Sequence, residues 1–204
     1  MVQQKQKGKR KTQDPCEVCF MHKSRCICEF IPTLDLKTKV SLIIHYKELK
    51  RTTNTGTLAL RALINSQIFI RGQINQPLDF SSELYSNFRS VLFYPCDEAV
   101  ELNADFVNES LLPIQLIVPD GNWRQASKVH YRHPELKHLP RVMIKSLNTE
   151  THHLRAEHMP EGMATLQAIA YALGVIEGSA VQNELLKLYH LKLEKTLLGR
   201  PTEY

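Results

Sequence analysis

Four cysteines near the N-terminus have the residue type and the spacing of a metal site. Cys16 and Cys19 are separated by two residues, and Cys26 and Cys28 by one. Each short spacer lets a tight turn direct two thiolates at one ion, and four thiolates complete the closed tetrahedral shell of structural zinc. Because this shell leaves no position open for water, the predicted zinc ion is structural rather than catalytic.

Other interpretations of these cysteines stay open. Disulfides would be expected in a small secreted protein, but a longer intracellular chain favours metal, and reduced cysteines without a ligand are a further alternative. His22 could replace one thiolate, and Lys23 and Arg25 would offset part of the negative charge of the cluster. The fifth cysteine, Cys96, lies far away after an apolar run and is interpreted as a packed thiol rather than a nucleophile.

Length and composition indicate one folded domain. The chain has 204 residues and 43% hydrophobic content, enough for a well-packed core with a small appendage. No apolar run approaches the length needed to cross a bilayer, and the polar, basic N-terminus argues against a secretory signal. We therefore expect a cytoplasmic protein that does not associate with membranes.

Positive charge is concentrated in a short tail before the first cysteine. The net charge of the chain is +5. Clustered basic side chains suit a polyanion such as nucleic acid, although a solvated tail without a partner is the alternative. The basic residues of this tail are Lys5, Lys7, Lys9, Arg10 and Lys11.

Apolar runs alternate with helical patterns through the rest of the chain. This alternation predicts an α/β fold with a mostly parallel sheet. Strands are predicted at 40–45, 68–70, 91–94, 114–118 and 142–144, and helices at 57–66, 122–131, 163–177 and 180–198.

Polar residues follow two of the predicted strands, where parallel sheets bind ligands. The first loop carries Arg51, Asn54, Thr55 and Gly56, and the second reads Pro119-Asp-Gly-Asn-Trp123. Neither a G-x-G-x-x-G fingerprint nor a phosphate-binding P-loop is present, so an ordinary dinucleotide site is not supported.

The second loop concentrates unusual side chains. Asp120 could accept a proton or fix a cationic group, and Gly121 permits close backbone approach. Trp123 offers a flat surface for stacking, and Asn122 can cap the following helix. The alternative is that Asp120 only shapes the turn and Trp123 packs beneath it.

Several of these motifs together resemble the DTW-domain family of tRNA-uridine aminocarboxypropyltransferases. The resemblance covers nearly the whole chain after the basic tail. Asn122 stands where the family motif Asp-x-Thr-Trp has threonine, and the family segment Ser-Thr-x-Glu-Ala begins with Ala164 and has Gln167 in place of glutamate. The matching segments are the cysteine cluster, His45-x-x-Glu48-x-x-Arg51-x-x-Asn54-Thr55-Gly56, Asp120-Gly121-Asn122-Trp123, Leu139-Pro140-Arg141 and Ala164-Thr165-Leu166-Gln167-Ala168-Ile169-Ala170.

The resemblance implies both a fold and a reaction. Family members are similar to SPOUT methyltransferases, whose sheet contains a trefoil knot. They transfer the 3-amino-3-carboxypropyl group of S-adenosylmethionine to the ring nitrogen of a uridine in tRNA and release methylthioadenosine. For this chain we expect a flexible tail at 1–14, a zinc knuckle at 15–32 and a domain that binds S-adenosylmethionine at 38–204.

The resemblance also assigns roles to individual residues. Asp120 is expected to act as general base or orienter, and Trp123 to shape the pocket for the cofactor or the base. Residues expected to line the S-adenosylmethionine site are Asn54, Thr55, Gly56, Pro119, Gly121, Asn122, Leu139, Pro140, Arg141, Ala164, Thr165, Leu166 and Ala168.

Two other functions are compatible with the same features. An RNA methyltransferase would share the cofactor and the fold, but it would release S-adenosylhomocysteine. A non-catalytic, zinc-containing RNA-binding protein would share the tail and the cysteine cluster, but it would not bind S-adenosylmethionine.

Overall fold

A single parallel sheet organises the computed structural model, which describes residues 12–121, 123–145 and 163–199. Within them six strands pair in the order β2-β1-β5-β3-β6-β4, and all five neighbouring pairs are parallel. The α/β class with a mostly parallel sheet is thereby confirmed, whereas the knot stays a prediction. The strands are β1 (Lys39–His45), β2 (Ser66–Arg71), β3 (Arg89–Phe93), β4 (Val100–Glu101), β5 (Ile114–Asp120) and β6 (Arg141–Met143).

Helices follow or connect these strands. The last two pack against each other and are joined at Gly178, whose φ of +105° favours glycine. The helices are α1 (Gly56–Ala62), α2 (Ala104–Asn108), α3 (Trp123–Arg132), α4 (Thr165–Glu177) and α5 (Ser179–Leu197). Short 3₁₀ turns lie at Lys23–Arg25, Cys28–Phe30, Ser81–Glu83 and Pro134–Leu136.

The two faces of the sheet carry separate hydrophobic cores, because side chains alternate along a strand. Leu42 and Ile44 of β1 belong to the larger core, together with buried residues of α1, α4, α5 and the cysteine segment. Ile43 belongs to the smaller core with Val129 of α3. Helices α1 and α4 therefore share one side of the sheet, and α3 covers the other.

Most predicted elements are confirmed with shifts of one or two residues. The helix predicted at 57–66 is wrong at its end, because Leu63 is already extended and β2 starts at Ser66. The Ser66 hydroxyl donates to the carbonyl oxygens of Leu60 and Leu63, which satisfies acceptors at the end of the helix. Strand β4 and helix α2 were not predicted, since two and five residues give no periodic signal.

Two sequence-based predictions fall on residues that the structure does not describe. The basic tail before Thr12 and the helix cap at Asn122 lie outside the described residues. In the part that is described, no helix is both long and apolar enough to cross a membrane.

Candidate functional site

The structure brings the four N-terminal cysteines into one cluster. Their sulfur atoms all lie within 4.8 Å of one another, with Cys16 3.5 Å from both Cys26 and Cys28, and Cys19 3.8 Å from Cys26. A tetrahedral ion with bonds of about 2.3 Å to sulfur would separate its ligands by about 3.8 Å. The cluster therefore has the donor atoms and the dimensions of a structural zinc site.

The local backbone prepares the first of these thiols for metal binding. The backbone N–H groups of Cys19 and Val18 lower the pKa of the Cys16 thiol to about 6. Burial and the neighbouring thiols raise the pKa of Cys28. A thiol binds zinc as the thiolate, so a bound ion would replace these protons. Its positive charge would also offset the repulsion among four closely spaced thiolates.

The cysteine cluster is packed into the main body of the protein. Cys19, Met21 and Ile27 are buried in the larger core, which also holds Leu188 of α5. Lys192 of α5 is only 1% exposed, and its ammonium group donates to the carbonyl oxygen of Cys19 at 3.4 Å. Burial lowers the pKa of Lys192 to about 8, while nearby thiolates oppose this shift. The Lys192 ammonium group thus lies where it offsets the negative charge of the cysteine cluster.

At the other candidate site, Asp120 is the last residue of β5 and is buried. Its partner in β1 is Ile44, so its side chain lies on the face of the sheet that α1 and α4 cover. Asn54 Nδ2 donates to Asp120 Oδ2 at 2.5 Å, and the Thr165 hydroxyl donates to Oδ1 at 2.6 Å. One carboxylate therefore holds the loop before α1 and the start of α4 together.

Thr55 adds a second connection between the same segments. Its hydroxyl oxygen accepts the backbone N–H of Leu166 at 3.1 Å. The residue before α4 is Ala164, which has no side-chain oxygen, so Thr55 supplies from another segment the acceptor that an N-cap side chain usually provides. Asn54 is fixed in turn, since its Oδ1 accepts the backbone N–H and the hydroxyl of Thr57.

Gly56 is required by the close approach of these segments. A Cβ at this position would lie 2.9 Å from Asp120 Oδ2 and 3.1 Å from Leu42 Cδ1. Both neighbours are buried and held, so neither can move away cheaply. The absent side chain is what lets α1 start directly beside Asp120.

A Gly56→Ala substitution should destabilise the protein and disturb the candidate site. We expect overpacking to cost about 1–3 kcal/mol, with a thermal melt as the measurement. Gly199→Ala, two residues after α5, is the matched control, because the atoms nearest its new Cβ are the guanidinium end of Arg25, which can move. A Gly56→Ala protein that melts like the wild type would contradict this account.

The other predicted residues around Asp120 occupy different positions. Pro119 lies within β5, and Gly121 has φ of +140°, a conformation that favours glycine. Ala168 donates its backbone N–H to the carbonyl oxygen of Ala164 in the first turn of α4. Asn122 and the side chain of Trp123 lie outside the described part, so their roles stay predictions.

The Leu139–Arg141 segment contacts the sheet on the side of the smaller core. Leu139 packs against the smaller core, the Pro140 carbonyl accepts the backbone N–H of Leu92, and Arg141 starts β6 in register with Leu92. The described contacts thus join this segment to β3, and its assignment to the cofactor site stays a prediction.

Comparison with known protein families covers the residues of both candidate sites. The family model described as "DTW domain" matches residues 13–197, which include the cysteine cluster and every described contact of Asp120. The chain belongs to the DTW-domain family.

Relatives of this DTW-domain chain have a common name. It is 24% identical over 183 residues to "tRNA-uridine aminocarboxypropyltransferase 2" of Macaca fascicularis, covering 87% of this chain and 61% of that protein. The protein of the same name from Mus musculus is 24% identical over 84% of this chain and 60% of its own length, and that from Drosophila melanogaster is 22% identical over 81% and 67%. The chain spans about three fifths of the length of the two mammalian relatives.

One solved structure is also similar to this chain. It is described as "the SAM-dependent rRNA:acp-transferase Tsr3 from Vulcanisaeta distributa". The identity is 16%, the match covers 78% of each chain, and the TM-score is 0.49.

Two residues of the DTW domain were missed by sequence reasoning. Thr57 orients Asn54, but a threonine in a helix gives no signal by itself. Lys192 did carry a signal, because it lies four residues after Leu188 on the apolar stripe of α5. A lysine on an apolar stripe indicates a buried partner, which here is the cysteine segment.

Proposed function

We propose that this protein transfers the 3-amino-3-carboxypropyl group of S-adenosylmethionine to the ring nitrogen of a uridine in tRNA. The observation that carries the proposal is that Asp120 joins two other DTW-family segments, the loop that holds Asn54 and the start of α4. The names of the relatives support the choice of reaction, and the described contacts join these segments at the carboxyl end of β5, where parallel sheets bind ligands.

In this reaction the uridine nitrogen between the two carbonyl groups loses its proton and attacks the terminal carbon of the aminocarboxypropyl chain. A nitrogen–carbon bond forms, the carbon–sulfur bond breaks, and the sulfonium leaves as neutral methylthioadenosine. The proton passes to a base or to water. Correct alignment of nucleophile and carbon supplies much of the rate in such a displacement.

Of the two roles considered for Asp120, the geometry favours that of orienter. Both carboxylate oxygens already accept hydrogen bonds, from Asn54 and from Thr165, and the side chain is 4% exposed. A carboxylate bound in this way is a poor proton acceptor, but it fixes the two segments expected to line the cofactor site. We propose that Asp120 aligns the pocket and that Trp123 completes it.

The reaction can be tested by mass spectrometry of tRNA nucleosides after incubation with the protein and S-adenosylmethionine. We expect a uridine heavier by one aminocarboxypropyl group and an equal amount of methylthioadenosine. Methylated nucleoside with S-adenosylhomocysteine would instead show a methyltransferase. Failure to bind S-adenosylmethionine in a titration would contradict both enzymatic functions and favour the non-catalytic alternative.

The basic tail should strengthen tRNA binding through phosphate contacts. We expect deletion of residues 1–11, which lie outside the described residues, to weaken tRNA binding and to flatten its salt dependence, because fewer counterions are released. The measurement is the tRNA dissociation constant over a range of salt concentrations. An unchanged salt slope in the shortened protein would mean that the tail is a solvated appendage.

A further inference from the structure

Helix α3 carries a basic stripe on its exposed side. Arg124, Lys128 and Arg132 are spaced four residues apart, so they lie on one face of the helix, and all three are exposed. No acidic residue is present between Trp123 and Arg132. The opposite face contributes the buried side chains of Ala126 and Val129 to the core.

This arrangement of charge has a cost for the isolated fold. Like charges four residues apart destabilise a helix by about 0.2–0.5 kcal/mol per pair. Among the described residues, no ion pair involves any of the three basic side chains. The stability of the fold therefore does not account for the basic stripe, whose charge fits a polyanionic ligand.

A cavity of about 390 Å³ at the end of α3 is lined by a further positively charged side chain. Arg71, the last residue of β2, is 7% exposed and lines this cavity together with Arg132 and His133. Its Nη2 donates to the carbonyl oxygen of Gln125 in α3, but its Nε has no hydrogen-bond partner in the described part of the chain. Burial and the nearby Arg132 both lower the pKa of Arg71.

The acidic side chains of the cavity are already engaged. Glu135 accepts from His133 Nδ1 at 3.1 Å and from the backbone N–H of Phe80 at 3.2 Å. Asp79 accepts from the hydroxyl and the backbone N–H of Ser81. Within the described residues no ion pair involves Arg71, so it presents a buried guanidinium there, and phosphate is an anion that its geometry suits.

We propose that the basic stripe of α3 and the Arg71 cavity form the docking surface for phosphates of the RNA substrate. The inference rests on the proposed function, since it takes tRNA as the ligand. Phosphate contacts would position the RNA without reading its sequence. The surface adjoins the candidate site, because α3 begins three residues after Asp120.

The sheet register gives the distance between the two features. Asp120 is paired with Ile44, and the next residue of β1, His45, is paired with Arg71. Neighbouring strands are about 4.8 Å apart, so the backbones of Asp120 and Arg71 are about 10 Å apart. Because Asp120 faces the α4 side and Arg71 the α3 side, an RNA bound along α3 would have to extend its uridine over this edge.

The test compares two triple variants that remove the same charge. Arg124, Lys128 and Arg132 are changed to glutamine in the first, and the exposed Lys37, Arg61 and Lys187 in the control. Filter binding of an unmodified tRNA transcript is measured against salt. We expect the α3 variant to bind at least about tenfold more weakly at 0.1 M salt, with a salt slope lower by about 2, and the control to stay within about twofold.

A single substitution tests the cavity. Arg71→Lys keeps the charge but removes the planar fork, so tRNA binding should weaken about threefold or more in a protein that still melts cooperatively. Unchanged tRNA binding by Arg71→Lys would show that the cavity is not part of the docking surface. Equal losses in the α3 variant and the control would overturn the α3 assignment.

Failure of this inference is distinguishable from failure of the proposed function. If the wild type releases methylthioadenosine with tRNA but the α3 variant binds tRNA normally, only the docking surface is wrong. If the α3 variant loses tRNA binding but the wild type releases no methylthioadenosine, the docking surface stands and the transferase activity is wrong. Binding of S-adenosylmethionine by every variant, unchanged from the wild type, confirms that the cofactor site is folded.

Discussion

Asp120→Ala should reduce aminocarboxypropyl transfer at least about 100-fold, because the substitution releases both segments that the carboxylate holds. The side chains of Asn54 and Thr165 would each lose their acceptor. Because Asn54 is buried, its unsatisfied donor should also cost about 1–3 kcal/mol of folding free energy. Methylthioadenosine release per folded molecule, measured beside a thermal melt, separates the two effects. A destabilised Asp120→Ala protein with full turnover would refute any catalytic or positioning role.

Asp120→Asn distinguishes the orienter from the base. The amide keeps an oxygen for Asn54, and its NH₂ group can donate to the oxygen of Thr165, so the orienting role predicts a loss of about tenfold or less. A general base would lose about 10²–10⁴-fold with the same substitution. Glu177→Gln is the matched control, since Glu177 also accepts two hydrogen bonds, from the hydroxyl and backbone N–H of Thr38 before β1. We expect the control to retain full turnover.

Loss of one cysteine ligand should have the largest effect on stability. Wild-type protein purified without chelators should contain one zinc per chain, and Cys26→Ser should contain less and melt at a lower temperature. Structural zinc contributes about 10–16 kcal/mol to the folding of small zinc peptides, so even a partial loss is large. A loss of about 3 kcal/mol would lower the melting temperature by about 6–12 °C in a chain of this size. Elemental analysis and a thermal melt measure both quantities.

The position of the cluster predicts where the damage appears. The segment around Met21 and Ile27 should become mobile, and α5 should loosen around Lys192, which contacts Cys19. The central sheet should persist, because its strands contain none of the four ligands. Hydrogen exchange resolves these regions. Cys96→Ser, which removes a thiol outside the cluster, should keep one zinc and melt within a few degrees of the wild type. Wild-type protein without zinc would disprove the metal site.

Patterns that are local in the chain were readable from the sequence. Two chelating pairs within thirteen positions indicated a metal cluster, because short spacers by themselves bring sulfurs together, and the geometry agrees with this prediction. Apolar runs located β1, β3, β5 and the long helices for a similar reason. Burial of a continuous apolar run depends little on distant parts of the chain. The DTW-family motifs supplied the expected reaction and most candidate residues around Asp120.

Only the tertiary structure decided which distant residues meet. Asp120 contacts Asn54 and Thr165, which lie 66 and 45 positions away, because the strand order places β5 beside β1 and brings α4 over the same face. Lys192 reaches Cys19 across 173 positions for an equivalent reason. The exposed face of α3 and the buried Arg71 likewise adjoin only after the sheet is assembled. Such encounters depend on strand order and register, which are set by the packing of the whole chain and not by the spacing of neighbours.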